Sequence, residues 1–387
     1  MKKVSIFIAI LAAIVLLHLL VIKLFFSDNK ANEKNKKAAT AELKAGKKAG
    51  KPVENTAAAA VKTEPRPEPV KVVPKFKFKT ISKNPNFGRY FTYRNAVWNK
   101  INTIPECIDA RSGILVDLGT RNVLWAKKPR DPVPIASMTK MMTLLLTFED
   151  LESRNDISLS TPIKVTMATQ RIGGSQVYLD NRETFPLGEL MKTVAIKSAN
   201  DSAYLISEFL SNKDVPAFVA RMNRRARALH MPSTKFVNSC GLPNKDGHNS
   251  MSSPEGMALL AEQLLLYPQL RKWTTTFHAY FRPEGDKARQ LLTNTNKLIK
   301  TCPGVDGMKT GYIRAAGYCI TVTCKRGGRR LVAVVTGFKT SKERNDFVAK
   351  LLDWGYRRAA ELAAHDKNSV MTALANTKVK NVESPKK

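Results

Sequence analysis

Histidine and cysteine are too few and too scattered in this chain to build a recognisable metal centre. His18, His230, His248, His278 and His365 stand apart from one another. Cys107, Cys240, Cys302, Cys319 and Cys324 fit no zinc-ligand spacing, and their odd number cannot all pair. Scattered cysteines in a large domain read as small buried hydrophobes, although one pair among Cys302, Cys319 and Cys324 could bridge in an oxidising compartment. Acidic residues are also scarce, 32 against 64 lysines and arginines, for a net charge of +32. The deficit is not confined to the ends: residues 80–365 hold 42 basic against 24 acidic side chains, +18 of the total. Such a field favours an anionic partner, whether nucleic acid, a phospholipid surface or an anionic wall polymer. Zinc-finger spacing and a strong RNA-binding signature are both missing, so nucleic acid is not expected as a partner.

Residues 4–22, VSIFIAILAAIVLLHLLVI, form an apolar run interrupted only by Ser5 and His18 and preceded by Lys2 and Lys3. The run exceeds the apolar core of about 7–15 residues usual in a signal peptide, and KLFFSDNK after it has no small-x-small cleavage site. It approaches the roughly 20 residues that span a bilayer. Residues 1–27 are therefore expected to be an uncleaved membrane anchor rather than a cleaved signal. The basic flank after the run opposes an extracytoplasmic body under the positive-inside rule, but long domains translocate largely regardless of charge. Residues 28–79, rich in Ala, Lys, Glu and Pro, cannot bury a core and read as an extended linker. The folded body is expected over 80–365, with a short polar tail over 366–387.

Within the body, ILVDL (114–118) and VLWAKK (123–128) predict one hairpin; GYCITVTC (317–324) and LVAVVTGF (331–338) predict another around a KRGGRR turn. Helices are expected after residue 134, over 187–210 with a break near KSAND, over 254–267, and over 341–362 with Ser341 as cap. Strands at both ends with helices between predict an α/β fold of the α+β type: an antiparallel sheet made from both ends, flanked by helices, with a helical subdomain beside it.

Three short motifs carry chemistry. S-x-x-K occurs three times, at Ser27, Ser137 and Ser384, but only PIASMTKMMT (134–143) opens an apolar helix. Residues i and i+3 share a helix face, so Ser137 and Lys140 can meet. A lysine on a core helix usually snorkels to water; here it can instead be the base for a nucleophilic serine. S-x-N occurs four times, and only Ser198-Ala199-Asn200 interrupts an apolar helical region. Lys309-Thr310-Gly311 is the single K-T-G, just ahead of the second hairpin. Gly311 reads either as a bulge or as a place where another backbone or a ligand comes close.

The three motifs in this order resemble those of the penicillin-binding, serine-type D-alanyl-D-alanine peptidases, in particular the low-molecular-mass carboxypeptidases. The resemblance covers about 105–360 and includes GGSQVYL (173–179), FVNSCGLP, HNSMSSPEGMALL and DGMKTGYIRAAGYC. S-A-N stands where S-D-N is often found, and Ile313 where threonine is common; a second, β-rich domain is not expected.

The resemblance implies a β-lactamase/transpeptidase-like fold and an acyl-enzyme mechanism on peptidoglycan stem peptides. Ser137 would attack the carbonyl between two terminal D-alanines, and Lys140 would accept its proton. Burial and a nearby Lys309 charge would lower the Lys140 pKa. Ser198 would relay the proton to the leaving D-alanine, and Asn200 would hold Lys140 and the substrate amide. Lys309 and Thr310 would meet the substrate carboxylate, the strand Lys309–Tyr312 would pair with the peptide across Gly311, and the Ser137 and Tyr312 N–H groups would form the oxyanion hole. No metal or cofactor is required, and β-lactams are expected as covalent inhibitors. The anchor would place the enzyme in the cell membrane, with its body on the extracytoplasmic side. The close alternatives are a D,D-endopeptidase of cross-bridges and a serine β-lactamase; more distant is an inactive wall-binding module.

Overall fold

A computed structural model describes residues 87–380. The apolar run and the linker lie outside the described residues. No helix within the described residues is long and apolar enough to cross a membrane.

The strands expected at the two ends of the body join in one six-stranded sheet, together with a short strand at Val97–Trp98 that was not expected. β1 (Val97–Trp98), β2 (Ser112–Asp117) and β3 (Val123–Lys127) come from one end, β4 (Val305–Ile313), β5 (Gly317–Arg326) and β6 (Arg329–Phe338) from the other. Their spatial order is β1-β3-β2-β6-β5-β4. The halves meet where β6 runs antiparallel to β2, with Leu331 opposite Asp117 and Thr336 opposite Ser112. The sheet is not wholly antiparallel, as the sequence suggested: the short β1 adds to β3 in parallel, Val97 opposite Trp125. A parallel pair needs an intervening crossover, here the segment containing β2, and that long-range choice leaves no local mark.

Both faces of the sheet are covered, so its strands read as continuous apolar runs. Successive side chains still alternate between faces. Ile114 and Val116 join one core cluster, with Met138, Met141 and Leu260; Leu115 joins the other, with Trp125, Phe347 and Leu351.

The helices are α1 (Lys140–Ser153), α2 (Leu187–Ile196), α3 (Asn200–Leu210), α4 (Val215–Ala228), α5 (Pro254–Leu264), α6 (Pro268–Thr275) and α7 (Ser341–Lys380). α1 is buried on almost every side, as a helix with leucines and methionines all round should be. The break at KSAND separates α2 from α3. Ser253 caps α5 by accepting the Gly256 N–H at 3.2 Å, ahead of Pro254 in the first turn.

Two expectations about the last helix need correction. Its cap is Thr340 rather than Ser341. The Thr340 hydroxyl accepts from the Glu343 N–H at 3.1 Å and the Thr340 N–H donates to Glu343 at 3.2 Å, a reciprocal capping box. The helix also runs past residue 362 to Lys380, through most of the expected tail. Residues 363–380 hold four alanines and three lysines and no Gly or Pro, so no strong helix breaker interrupts the continuation.

All five cysteines are free and buried, so no pair among Cys302, Cys319 and Cys324 bridges. Cys319 donates to the Ala316 carbonyl and Cys324 to the Pro303 carbonyl. Burial pushes the Cys319 thiol up to about 11.

Candidate active site

The segment carrying Ser137 enters through a two-residue strand, Val133–Pro134, paired with Met251–Ser252. It then tightens into a 3-10 turn, Ala136–Thr139, that feeds α1. Ala136 is buried with a φ of +47°, a left-handed conformation rarely adopted by a residue with a Cβ. The turn brings Ser137 and Lys140 together as the i, i+3 spacing predicts: Lys140 Nζ donates to Ser137 Oγ at 3.0 Å.

Lys140 is wholly buried. Its other two donors go to Asn200 Oδ1 and to the Cys240 carbonyl, each at 2.6 Å. The ammonium thus has three acceptors for three protons. Burial still lowers its pKa to about 8, against an opposite pull from Cys240 and Asp201. Lysine–lysine repulsion was expected to help lower Lys140; it acts instead on Lys309. Burial depresses Lys309 most, followed by the Lys140 and Arg344 charges.

Asn200 opens α3. Its Oδ1 meets Lys140, while its Nδ2 donates to the Gly173 carbonyl at 2.7 Å and its N–H to the Ser175 carbonyl at 2.7 Å. Ser198, two residues earlier, has a φ of +67°, and its buried hydroxyl has no hydrogen-bond partner among the described residues. Leaving a buried hydroxyl unpaired costs about 1–3 kcal/mol.

Lys309, Thr310 and Gly311 lie on β4, the last strand of the sheet, so one edge of that strand has no strand partner among the described residues. Lys309 is buried and donates to the Thr310 carbonyl at 3.0 Å. Thr310 donates its hydroxyl to Thr295 at 2.7 Å. Gly311 answers the question its motif raised: a Cβ there would lie 2.7 Å from the Ile135 carbonyl oxygen. The close neighbour is the backbone leading to Ser137, and only glycine lets β4 approach it. Tyr312 is exposed and packs on Tyr318 at 4.3 Å between ring centroids. Ile313 is half-buried against the core, and Arg314 is exposed.

The fold therefore joins Ser137, Lys140 and Asn200 by direct hydrogen bonds, sets Lys309 close enough to feel the Lys140 charge, and seats Gly311 against the Ser137 segment. Among the described residues, no side-chain hydrogen bond links Ser198, Thr310 or Tyr312 to Ser137, Lys140 or Asn200. Sequence reasoning assigned no role to the backbone carbonyls of Gly173, Ser175 and Cys240, because a carbonyl has no residue type. Their only trace was the GGSQVYL and FVNSCGLP stretches. It also missed Asp201, Thr295 and Arg344. Arg344, on α7, is buried, donates to the Cys319 carbonyl at 3.1 Å and is lowered by burial to about 10.

A family model described as D-alanyl-D-alanine carboxypeptidase matches residues 99–340. D-alanyl-D-alanine carboxypeptidase DacF of Bacillus subtilis is 39% identical over 272 residues, covering 70% of this chain and 68% of that protein. DacC of Escherichia coli is 30% identical over 261 residues, covering 65% and 62%, so the chain spans less than two thirds of that relative's length. Among solved structures, penicillin-binding protein D2 from Listeria monocytogenes in the ampicillin-bound form superposes with a TM-score of 0.57 at 27% identity, covering 64% of this chain and 98% of that one. The carboxypeptidase DacD from Francisella tularensis gives 0.59 at 26% identity, covering 64% and 70%. With its three motifs gathered around one buried lysine, this chain belongs to the D-alanyl-D-alanine carboxypeptidase family.

Proposed function

We propose that this protein is a serine D,D-carboxypeptidase that removes the terminal D-alanine from peptidoglycan stem pentapeptides through an acyl-enzyme. The observation that carries the reading is the 3.0 Å contact between Ser137 Oγ and the wholly buried Lys140 amine, whose pKa is lowered to about 8. A serine hydroxyl needs a base at its side, and a lysine becomes one when burial frees it of its proton near neutrality.

In the proposed first half-reaction Ser137 Oγ bonds to the carbonyl carbon and its proton passes to Lys140. The carbonyl oxygen gains negative charge, which the Ser137 and Tyr312 N–H groups stabilise. The C–N bond then breaks. The proton returns from Lys140 through the Ser198 hydroxyl to the leaving amine, a role that would give the orphan Oγ its partner. In the second half-reaction water attacks the ester by the same route and frees Ser137. The peptide lies along the open edge of β4, adding a strand. Its terminal carboxylate sits by Lys309 and Thr310. That anion supplies the counter-charge Lys309 lacks, so substrate binding favours the ammonium form that burial and the neighbouring cations oppose. The Listeria structure holds ampicillin; on this reading β-lactams acylate Ser137 here as well.

Endopeptidase action on cross-bridges uses the same groups and differs only in the leaving group beyond the scissile bond. The test is a digest of disaccharide-pentapeptide by purified protein, read by mass spectrometry. Loss of one alanine residue is expected. An unchanged pentapeptide, with a cross-linked dimer cut instead, would replace this reading with the endopeptidase one.

We further propose that residues 4–22 hold the enzyme in the cell membrane, with the body on the extracytoplasmic side. The 52 residues from 28 to 79 would then set its reach, above the roughly 40 Å expected of a fully flexible chain of that length. The full-length protein is expected in the membrane fraction and to resist high-salt extraction, which releases purely electrostatic contacts. Release by salt, or mature protein beginning after residue 26, would overturn the anchor.

A further inference from the structure

Asn200 owes its orientation to the stretch GGSQVYL. Gly173 and Ser175 accept its Nδ2 and N–H groups, which turns Oδ1 toward Lys140. Ser175 Oγ also donates to the Lys197 carbonyl at 3.0 Å. The approach is close: a Cβ on Gly174, whose φ is +80°, would lie 2.5 Å from Asn200 Nδ2.

The next residues are gripped from two sides. The buried Asp201 carboxylate accepts the Val177 N–H at 3.0 Å and the Leu179 N–H at 3.3 Å. From the other side Arg282 donates Nη1 to the Val177 carbonyl at 3.1 Å and Nη2 to the Tyr178 carbonyl at 2.9 Å. Arg282 is itself fixed. Its Nε and Nη2 meet the Glu183 carboxylate at 2.7 and 2.8 Å, and its guanidinium lies over the Phe281 ring at 4.7 Å and the Phe185 ring at 5.3 Å. Its side chain is 3% exposed. Both Arg282 and Tyr178 take left-handed backbone, φ +70° and +54°, which is strained for a residue with a Cβ and persists only where the surroundings dictate it. A planar fork with five donors can hold two successive carbonyls and a carboxylate at once, which no lysine can.

We infer that Arg282 is a positioning residue for acylation: by locking the Val177 and Tyr178 carbonyls it fixes the 173–179 wall and, through Gly173 and Ser175, the angle at which Asn200 meets Lys140. The inference rests on the acyl-transfer reading of Ser137 and Lys140. Among the described residues, Arg282 makes no hydrogen bond to Ser137, Lys140, Asn200 or β4, so its influence runs through the wall alone. A misplacement of about 1 Å at such a site can cost about a hundredfold in rate.

The test compares wild type, Arg282→Met and Arg282→Lys in the full chain. It measures penicillin binding and acylation separately by stopped flow across pH, with hydrogen exchange over 173–179 and thermal melting. In Arg282→Met the acylation step is expected to fall about tenfold to a hundredfold, while the preceding binding constant changes much less. Exchange over 173–179 should quicken. Water reaching Lys140 should move the rising limb of the pH profile upward, towards ordinary lysine. Arg282→Lys, which keeps one donor on a carbonyl, should recover part of the rate and protection. A stable Met variant with wild-type acylation and pH profile overturns the inference. If the Met variant does not fold, a folded Lys variant decides: unchanged acylation and unchanged exchange overturn it. If the wild type itself is not acylated, the reading of Ser137 fails first and the inference falls with it.

Discussion

Replacing Ser137 with alanine is expected to abolish covalent labelling by penicillin and release of D-alanine. Removing the nucleophile leaves Lys140 with no atom to activate, and comparable deletions in serine hydrolases cost about 10⁶-fold. The fold should survive. Ser137 is only partly buried and gives up one hydrogen bond, that from Lys140, a loss of about 1 kcal/mol. Lys140 keeps Asn200 and the Cys240 carbonyl as acceptors. Intact-mass spectrometry after incubation with penicillin reads the result directly. A label that persists at full stoichiometry in a folded variant would remove Ser137 from the mechanism.

The second large effect belongs to Lys140. Arginine at this position keeps the charge but cannot shed its proton near neutrality. General-base catalysis is worth about 10²–10⁴-fold, so Lys140→Arg should lose at least that. In the wild type, acylation should rise with pH through the Lys140 pKa of about 8, because the neutral amine is the active form. At pH 7 roughly a tenth of the enzyme would then hold the base ready. The groups that set this limb are the burial itself, Asp201 and Cys240. The rising limb should vanish in the arginine variant. Lys309→Arg retains a cation for the substrate carboxylate and should lose less, mostly in substrate affinity. Pre-steady-state acylation across pH 6–10 separates the cases. Equal losses in two folded variants, or a rising limb retained in Lys140→Arg, would contradict the assigned division of labour.

Much of this was legible because the informative signals were local. Ser137 and Lys140 meet through a single turn, and spacing alone predicts it. Both hairpins were read from apolar runs separated by turn residues. The break before Asn200 was visible because polar KSAND interrupts a helical period. The cap of α7 was missed by one residue because serine and threonine are adjacent and both can cap; only the Glu343 contact distinguishes Thr340. The tail was read only as short and polar, and the helix running into it was missed because polarity was weighed more than the absence of Gly and Pro between Gly355 and Lys380.

What the sequence by itself determined was the inventory: a serine and a lysine on one helical face, an asparagine at a helical break, a lysine and a glycine ahead of a hairpin, and a basic body. Tertiary structure alone decided how these became a site. It brought Cys240 and Gly173 carbonyls to Lys140 and Asn200, contacts between residues 100 and 27 positions apart. It set the Ile135 backbone where any side chain on Gly311 would collide. It placed Arg282 behind the 173–179 wall, over a hundred residues away in sequence. The physical reason is the same in each case. A backbone carbonyl looks alike at every residue, and the burial that lowers a lysine's pKa is a property of everything packed around it, so neither can be read from the residue that carries it.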